Sequence, residues 1–202
     1  MSYASLTLLK SYLGISVTTD DTLLTNLLTR AQQAIDSHCH RTFEARTETR
    51  YYRQEAVAIE DAFGYDITHE VLNPVSDVLY LDDDLLSVTT LTNGDGTTIP
   101  SSGYWLEPRN DGPPYWYIRL KSAYSWEFDT DGEISVAGTW GYATTAPDDI
   151  VHAAIRLAAY YYRQKDAQVF DVTAMPDVGV VTIPQGMPAD VKLVLQPYVR
   201  LA

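Results

Sequence analysis

The chain has 202 residues, 46% of them hydrophobic and 20% charged, which is the composition of an ordinary globular protein able to bury a sizeable core. Its formal net charge of −13 argues against proteins that grip nucleic-acid phosphates, because those carry basic patches. It has no run of about 18 apolar residues and no secretion-signal pattern at its start, so we expect neither a membrane span nor export. A single cysteine excludes an internal disulfide and fits a reducing cytoplasm.

Two helices are predicted at the start of the chain. The first covers residues 5–12, with Ser5 as its N-cap and Gly14 at its end. The second covers residues 21–40 and is capped by Asp20 or Asp21. Its apolar residues recur at helical spacing and are expected in the core: Leu24, Leu27, Leu28, Ala31, Ile35 and His38 or Cys39.

From about residue 47 to residue 142 the apolar residues alternate with polar ones, which predicts antiparallel strands. Candidate strands cover residues 47–57, 78–81, 86–91 and 115–121. Turns are predicted at residues 93–96, 110–114 and 129–132 from their glycine, asparagine, aspartate and proline residues. The alternation also assigns side chains to the buried face of the sheet: Trp116, Ile118 and Leu120, and then Tyr124, Trp126 and Phe128.

A strand-to-helix connection follows. Ile134, Val136 and Trp140 share one side of a strand, and Gly138 and Gly141 mark where it bends or ends. Pro147 suits the first position of a helix, where two aspartates complement the positive helix terminus. The apolar positions of that helix are Val151, Ala154, Ile155, Ala158, Tyr161 and Tyr162.

An apolar segment at residues 166–187 contains too many prolines and glycines for a long helix, so an extended arm or exposed hairpin is predicted. It either packs on its own subunit or crosses to a neighbouring one. The candidate interface residues are Phe170, Val172, Met175, Val180 and Ile183 of the arm, with Tyr198 and Arg200 beyond it. A final helix is predicted from Pro188, with Val191, Val194 and Leu195 apolar, and Pro197 kinks or ends it.

Three segments together resemble the head–tail connector family of tailed bacteriophages, also called adaptors or head-completion proteins. They are the two-helix start, which ends in Cys39-His-Arg-Thr-Phe43; Gly138-Thr-Trp-Gly-Tyr142 with its Pro-Asp-Asp-Ile helix start; and Pro188–Arg200. The resemblance implies a structural virion protein made in the host bacterial cytoplasm and placed in the neck. It implies a homo-oligomeric ring, commonly a dodecamer, that binds the portal and a tail or tail-completion protein. DNA would pass through the channel without tight binding, and no catalysis is implied.

Chemical sites find little support in the sequence. His38, Cys39 and His40 point about 100° apart on a helix and cannot easily close on one zinc ion. Turn acids explain Asp82-Asp-Asp84 and Asp129-Thr-Asp-Gly-Glu133 better than calcium ligands do, since the closing glutamate of a calcium loop is missing. We therefore assign no catalytic, metal-binding or cofactor-binding residue and expect no cofactor.

The prediction is an α+β fold, a small helical bundle with an inserted antiparallel β domain. The helical core comprises residues 1–46 and 143–202, and the β domain comprises residues 47–142. Smaller members of the head–tail connector family are almost purely helical, so the resemblance does not indicate what the inserted β domain does. Two other functions remain open: a carbohydrate- or host-surface-binding module built on the aromatic-rich β domain, and an enzyme whose site the sequence does not reveal.

Overall fold

The computed structural model describes residues 2–52, 59–60, 66–67, 77–127, 133–167, 172–175, 179–182 and 186–200. The described residues form helices α1 Leu6–Leu13, α2 Asp21–Cys39, α3 Asp148–Ala167 and α4 Ala189–Leu195. Their strands are β1 Arg46–Tyr52, β2 Ile59–Glu60, β3 Asp66–Ile67, β4 Val78–Thr92, β5 Tyr104–Glu107, β6 Tyr115–Leu120, β7 Ile134–Trp140, β8 Val172–Met175 and β9 Gly179–Thr182.

The chain divides into two compact units. The helical unit comprises Met1–Glu44 and Thr144–Ala202, and the β unit comprises Ala45–Ala143. These divisions lie within two residues of the predicted domain boundaries. The four α-helices of the described residues lie in the first unit and a five-stranded antiparallel sheet lies in the second, so the predicted α+β class is confirmed.

Helix α1 begins and ends at its predicted caps. The Leu8 N–H donates a hydrogen bond of 3.2 Å to Ser5 Oγ, and Gly14 ends the helix with φ of 72°, a left-handed conformation that favours glycine. Both boundaries of this helix are therefore confirmed.

Helix α2 buries one stripe, and the prediction for it needs one correction, at Leu27. The buried residues are Leu24, Leu28, Ala31, Ile35 and Cys39. Leu27 was expected in the core but is only half-buried, because the stripe passes through its neighbour Leu28. Of the two alternatives at the end of the helix, Cys39 faces the core and His38 does not.

Helix α3 packs against the other three helices with small side chains. It buries Ile150, Ala153, Ala154, Ile155, Leu157, Ala158 and Ala159. Val151, Tyr161 and Tyr162 were predicted on the apolar side but are half-buried. Tyr162 instead donates a hydrogen bond to Asp20, at the start of α2. Alanines in the centre allow close helix packing, and the tyrosines lie at its margin.

Helix α4 buries Val191 and Leu195, whereas Val194 is half-buried. The helix ends at Leu195, two residues before Pro197, and continues as the short 3-10 turn Gln196–Tyr198. The predicted ending at the proline is confirmed.

The sheet of the β unit has the strand order β1-β7-β4-β6-β5. Strand β7 buries every second residue, namely Ile134, Val136, Gly138 and Trp140, which confirms the predicted face. A Cβ on Gly138 would lie too close to the Ser87 carbonyl oxygen on β4, so this glycine permits the approach of the two strands. The core comprises Leu81, Leu85, Leu91, Ile99, Ile118, Leu120, Ile134, Val136 and Trp140.

Strand β4 corrects the prediction most. The two candidate strands at residues 78–81 and 86–91 are one 15-residue strand, and Asp82–Asp84 lie inside it and not in a turn. Its pairing shifts register between Tyr80 and Leu85 opposite β6, and again after Leu85 opposite β7. Such shifts mark bulges, which bend a strand without ending it.

The same register shift explains why one tryptophan was misplaced. Trp116 was predicted in the core but is 49% exposed, because the β4–β6 ladder is interrupted opposite it. Residues 121–127 form no strand, so the predicted repeat fails there: Tyr124 is 40% exposed and Trp126 is half-buried. Phe128 lies outside the described residues.

The predicted turns have mixed outcomes. Residues 93–96 do form a tight turn, in which the Gly96 N–H donates to the Asn93 carbonyl at 2.9 Å. Residues 110–114 connect β5 to β6 as expected. The turn at residues 129–132 lies outside the described residues, as do positions 53–57 of the first predicted strand, whose described part is β1.

The predicted arm contains a two-stranded antiparallel ladder. Strand β8 pairs with β9 from Val172 opposite Thr182 to Met175 opposite Gly179. This pairing agrees with the hairpin form of the prediction. Phe170 and Ile183 lie outside the described residues.

Candidate interface

A cluster of charged groups lies on the buried side of the sheet. Register places Arg46 beside Trp140 and Arg50 beside Val136, so β1 directs alternate polar side chains to the face that carries the core. We call this set the charge cluster: Arg46, Glu48, Arg50, Tyr52, Asp82 and Asp83. Because Asp82 and Asp83 lie on the bent part of β4, that part of the strand reaches across to β1.

Hydrogen bonds connect the members of the charge cluster. Arg50 donates to Asp82 at 2.6 Å and to Asp83 at 2.9 Å, and Arg46 also donates to Asp83, at 2.5 Å. Both arginines donate to Glu48. The Tyr52 hydroxyl donates to Asp82 Oδ1 at 2.7 Å. Each acid thus has a cationic partner, which is how a protein holds charge inside a fold.

The pKa directions agree with this pairing. Burial alone would raise the pKa of Asp82, but hydrogen bonds from Arg50 and Tyr52 outweigh it and hold the pKa below its ordinary value. Burial would likewise raise the pKa of Glu48, but hydrogen bonds from Arg46 and Arg50 outweigh it, and the pKa lies below its ordinary value. Burial and the hydrogen bond to Asp82 raise the pKa of the Tyr52 phenol. These groups stabilise one another's ordinary charge states, a pattern typical of a structural role.

The outer face of the sheet carries a second group, which combines aromatic rings with cations. We call it the aromatic–cation patch: Tyr80, Trp105, Arg109, Tyr117, Arg119 and Lys121. Tyr80 lies directly opposite Tyr117, with ring centroids 5.7 Å apart, and Trp105 lies directly opposite Arg119. Tyr117 and Arg119 are two residues apart on β6 and face the same side of the sheet. The two cross-strand pairs therefore lie next to each other, and their rings and cations form one continuous surface.

Two cations of this patch lie over the ring of Trp105. The guanidinium of Arg109 lies 4.3 Å from its ring centroid, and the Lys121 ammonium lies 5.2 Å from it. Arg109 also pairs with Glu107 at 2.9 Å, and Arg119 pairs with Asp77 at 3.3 Å. Cations over the faces of aromatic rings are attracted by the ring quadrupole.

Acidic charge is distributed unevenly between the units. The β unit, residues 45–143, has six Lys and Arg against 17 Asp and Glu, a formal charge of −11. The rest of the chain has eight against ten, a formal charge of −2. The inserted unit therefore carries most of the net charge of −13.

The predicted interface residues at the C-terminal end contact their own unit. Tyr198 packs edge-to-face on Phe43 with centroids 5.6 Å apart and donates to Asp149 at 3.3 Å. The backbone N–H of Arg200 donates to the Cys39 carbonyl at 2.9 Å. The structure thus gives both residues contacts within the subunit. Val172, Met175 and Val180 belong to the β8–β9 ladder.

The His38, Cys39 and His40 segment is accounted for by the end of α2. Cys39 is fully buried, and burial raises the pKa of its thiol to about 11. His40 ends the helix with φ of 53°. In the part of the chain that the structure describes, no three His, Cys, Asp or Glu side chains are grouped to hold a metal ion. Among the same residues no helix is long and apolar enough to cross a membrane.

Two polar links of the helical unit were not found from the sequence. Tyr3 donates a hydrogen bond to Asp36 of α2, and its oxygen accepts one from the Phe43 N–H at 2.9 Å. Tyr162 and Lys165 of α3 both donate to Asp20. Their partners are more than 30 residues apart in the chain, and periodicity carries no signal of such pairs.

Comparison with known proteins gives one family and a consistent set of folds. Residues 3–71 match the model of the phage gp6-like head–tail connector protein family. No curated protein sequence is significantly similar to the chain.

Three similar solved structures come from gene transfer agent (GTA) particles. A chain in the neck of an empty GTA particle, computed with C6 symmetry, is 17% identical, with a TM-score of 0.63 over 99% of this chain and 91% of that one. A chain in the virion of a native GTA particle is also 17% identical, with a TM-score of 0.62 over the same shares. A third, in a native GTA neck computed with C12 symmetry, is 18% identical, with a TM-score of 0.56 over 90% and 84%.

At these identities the similarity concerns the fold, and it includes the β unit as well as the helices. The resemblance that the sequence predicts is therefore confirmed: over residues 3–71 the chain matches the head–tail connector family.

Proposed function

We propose that this chain is a structural protein of a phage-like virion neck, where copies of it form a ring between the portal and the tail. The observation that carries the proposal is the shared fold, which extends over 99% of this chain and 91% of a GTA neck protein. The match of the N-terminal segment to the connector family supports the same role independently. This role needs no catalysis.

The proposed ring contains six or twelve copies. The two GTA necks with this fold were computed with C6 and C12 symmetry, which supports a copy number divisible by six. The proposed partners are a portal protein on the head side and a tail or tail-completion protein on the other side. A ring also provides each copy with two neighbours through one repeated contact.

The arm is the proposed contact segment. Within the described residues, β8 and β9 pair only with each other, and a two-stranded ladder presents an outer edge on each strand. Adding a strand to such an edge is a common way for one chain to bind another. We therefore propose that Val172, Met175 and Val180, with Phe170 and Ile183, contribute to an interface between copies or with the portal. Tyr198 and Arg200 remain proposals for the margin of that contact.

DNA would pass through such a ring without tight binding. A dodecamer would carry a formal charge of −156, twelve times the −13 of each chain. Like charge repels phosphate and lets DNA slide. A salt-sensitive mobility shift of duplex DNA at micromolar protein would contradict this part of the proposal.

The exposed aromatic side chains favour one other function, a carbohydrate- or host-surface-binding module. Tyr80 is 74% exposed and Trp116 49% exposed, and exposed rings can stack on sugars. Against this, cations lie over Trp105 and leave less of its face for a sugar. Binding of a glycan by an isolated subunit would favour the alternative.

Particles assembled without this chain would test the proposed function. The expected result is separate heads and tails, with joining restored when the purified protein is added to the heads. Labelling with an antibody to the β unit should mark the junction of head and tail in electron micrographs. Normal tailed particles in the absence of the chain would contradict the proposal.

A further inference from the structure

We infer that the aromatic–cation patch is a subunit interface, and that it receives the acidic tip of the β unit of a neighbouring copy. The acidic tip is the turn at residues 93–97 together with residues 125–127, which carry Asp95 and Glu127. The inference rests on the proposed ring and names a contact that forms it.

The patch has the exposure expected of a surface that another molecule covers. Tyr80, at 74%, is more exposed than any other large hydrophobic side chain in the part of the chain that the structure describes. Trp105, across β6 on the same face, is 37% exposed. Aromatic and arginine side chains are the residue types enriched at the centres of protein interfaces.

The charge of the patch complements the rest of the β unit. Of the six basic residues in this unit, three lie in the patch: Arg109, Arg119 and Lys121. Arg46 and Arg50 are engaged in the charge cluster. Arg109 and Arg119 are paired with Glu107 and Asp77, so three cations against two acids leave the patch a formal charge of +1. On a unit with a formal charge of −11 this is a locally positive surface, and it fits an acidic protein surface.

The acidic tip is such a surface on the same unit. Asn93 joins its two parts: its side chain donates to the Ser125 carbonyl and accepts from the Glu127 N–H, both at 3.0 Å. Asp95 and Glu127 are exposed there. No lysine or arginine occurs in residues 54–108 or 122–143, so the basic residue nearest to the tip in sequence is Lys121.

Contact between the patch of one copy and the tip of the next is a head-to-tail contact, which generates a ring when the rotation closes. Each copy then offers its patch to one neighbour and its tip to the other. A nucleic acid is a poorer occupant, because the unit around the patch would repel its phosphates. Two copies of one acidic chain can associate through this contact because the patch has a formal charge of +1, whereas the tip carries the exposed carboxylates of Asp95 and Glu127.

Reversing charge at each surface tests the contact. The patch variant is Arg119→Glu with Lys121→Glu, and the tip variant is Asp95→Lys with Glu127→Lys. Alone, each brings like charges together, and we expect half-assembly to need at least about tenfold more protein than wild type. Mixed in equal amounts, the two variants should form rings in which they alternate. A chain that carries all four substitutions should assemble as well, since both surfaces are reversed.

Ring formation is followed by native mass spectrometry, with the full-length chain alone and with portal protein. Tryptophan fluorescence checks that each variant is folded, since all four tryptophans lie in the β unit. The milder pairs Arg119→Gln with Lys121→Gln and Asp95→Asn with Glu127→Gln replace any reversed variant that does not fold, and each should weaken assembly. Asp111→Lys and Lys192→Glu reverse exposed charges outside both surfaces, and rings should form normally.

Separate outcomes overturn the inference and the proposed function. If wild type forms rings and the folded patch or tip variants form them equally well, or if mixing rescues nothing, the patch is not this interface. Loss of glycan or single-stranded DNA binding in Tyr80→Ala, with rings intact, would assign the patch to that ligand instead. If wild type forms no ring alone or with portal protein, the ring itself is contradicted and the interface with it.

Discussion

Arg50 on β1 and Asp82 on β4 are joined by a hydrogen bond of 2.6 Å, although 32 residues separate them in the chain. The guanidinium of Arg50 also lies 4.9 Å from the ring centroid of Trp140, whose indole N–H donates to the Glu48 carbonyl. One arginine thus connects the edge strand, the core tryptophan and the bent part of β4. The charge cluster thus links β1 to the bent part of β4.

Arg50→Met should destabilise the β unit by about 1–3 kcal/mol. Removal of one partner from a buried pair typically costs about 3–5 kcal/mol, and the exposure of Asp82 reduces this. Denaturant unfolding followed by tryptophan fluorescence reports on this unit specifically. Arg109→Met is the matched control, because its exposed pair with Glu107 should contribute less than about 1 kcal/mol. Equal losses in the two variants would show that the charge cluster has no special role.

The same cluster should make the β unit sensitive to acid. The folded-state pKa values of Asp82 and Glu48 lie below their ordinary values. Their contribution to stability is therefore present above the unfolded pKa, about 4, and is lost as pH falls through the lower folded pKa. The unfolding midpoint should be nearly constant from about pH 6 to 8 and should fall below about pH 4. In Arg50→Met the acid-side fall should be smaller, and an unchanged fall would contradict the assignment.

Leu28→Ala should cost about 2–5 kcal/mol in the helical unit, because Leu28 is 2% exposed and its removal leaves a cavity. Leu27→Ala is the matched control on the same helix. Leu27 is half-buried, so its loss should be clearly smaller. Circular dichroism at a helical wavelength follows the unfolding of this unit. If Leu27→Ala costs as much as Leu28→Ala or more, the assignment of Leu28 to the buried side of α2 is contradicted.

The helices were predictable because their signals are local. Ser5, Gly14 and Pro197 mark helix ends through their own backbone preferences, and the α2 stripe repeats at helical spacing. The misplaced positions depend on distant partners. Three consecutive aspartates resemble a turn until Arg46 and Arg50, more than 30 residues away, are placed beside them. Similarly, alternation placed Trp116 in the core because the register shift of β4 leaves no mark in the sequence of β6.

The candidate interface was predictable only in part. An apolar segment interrupted by proline and glycine indicated an arm, and a β8–β9 ladder occurs in it. The aromatic–cation patch was not singled out, because it assembles from β4, β5 and β6 through pairing that spans about 40 residues of sequence. Aromatic residues were visible in the sequence, but their shared face and their cations were not.

Deleting residues 170–182 and bridging the gap with a short Gly/Ser linker tests the arm. The free subunit should keep its thermal stability, whereas rings or attachment to heads should be lost, since interface strands order on assembly. An equally long Gly/Ser insertion after Val17, in the exposed connection between α1 and α2, controls for the linker itself. Normal assembly of the deleted chain would remove the arm from the interface. A large loss of stability in the free subunit would mean that the arm packs on its own helices.

The mass of the wild-type chain in solution, alone and with a portal protein, tests the central claim most directly. Native mass spectrometry or light scattering should give a single closed oligomer of six or twelve chains, formed alone or on the portal. A chain of 22.6 kDa would then appear at about 136 or 271 kDa before the portal is counted. A monomer under both conditions, at concentrations well above micromolar, would contradict the account of this protein as a neck ring.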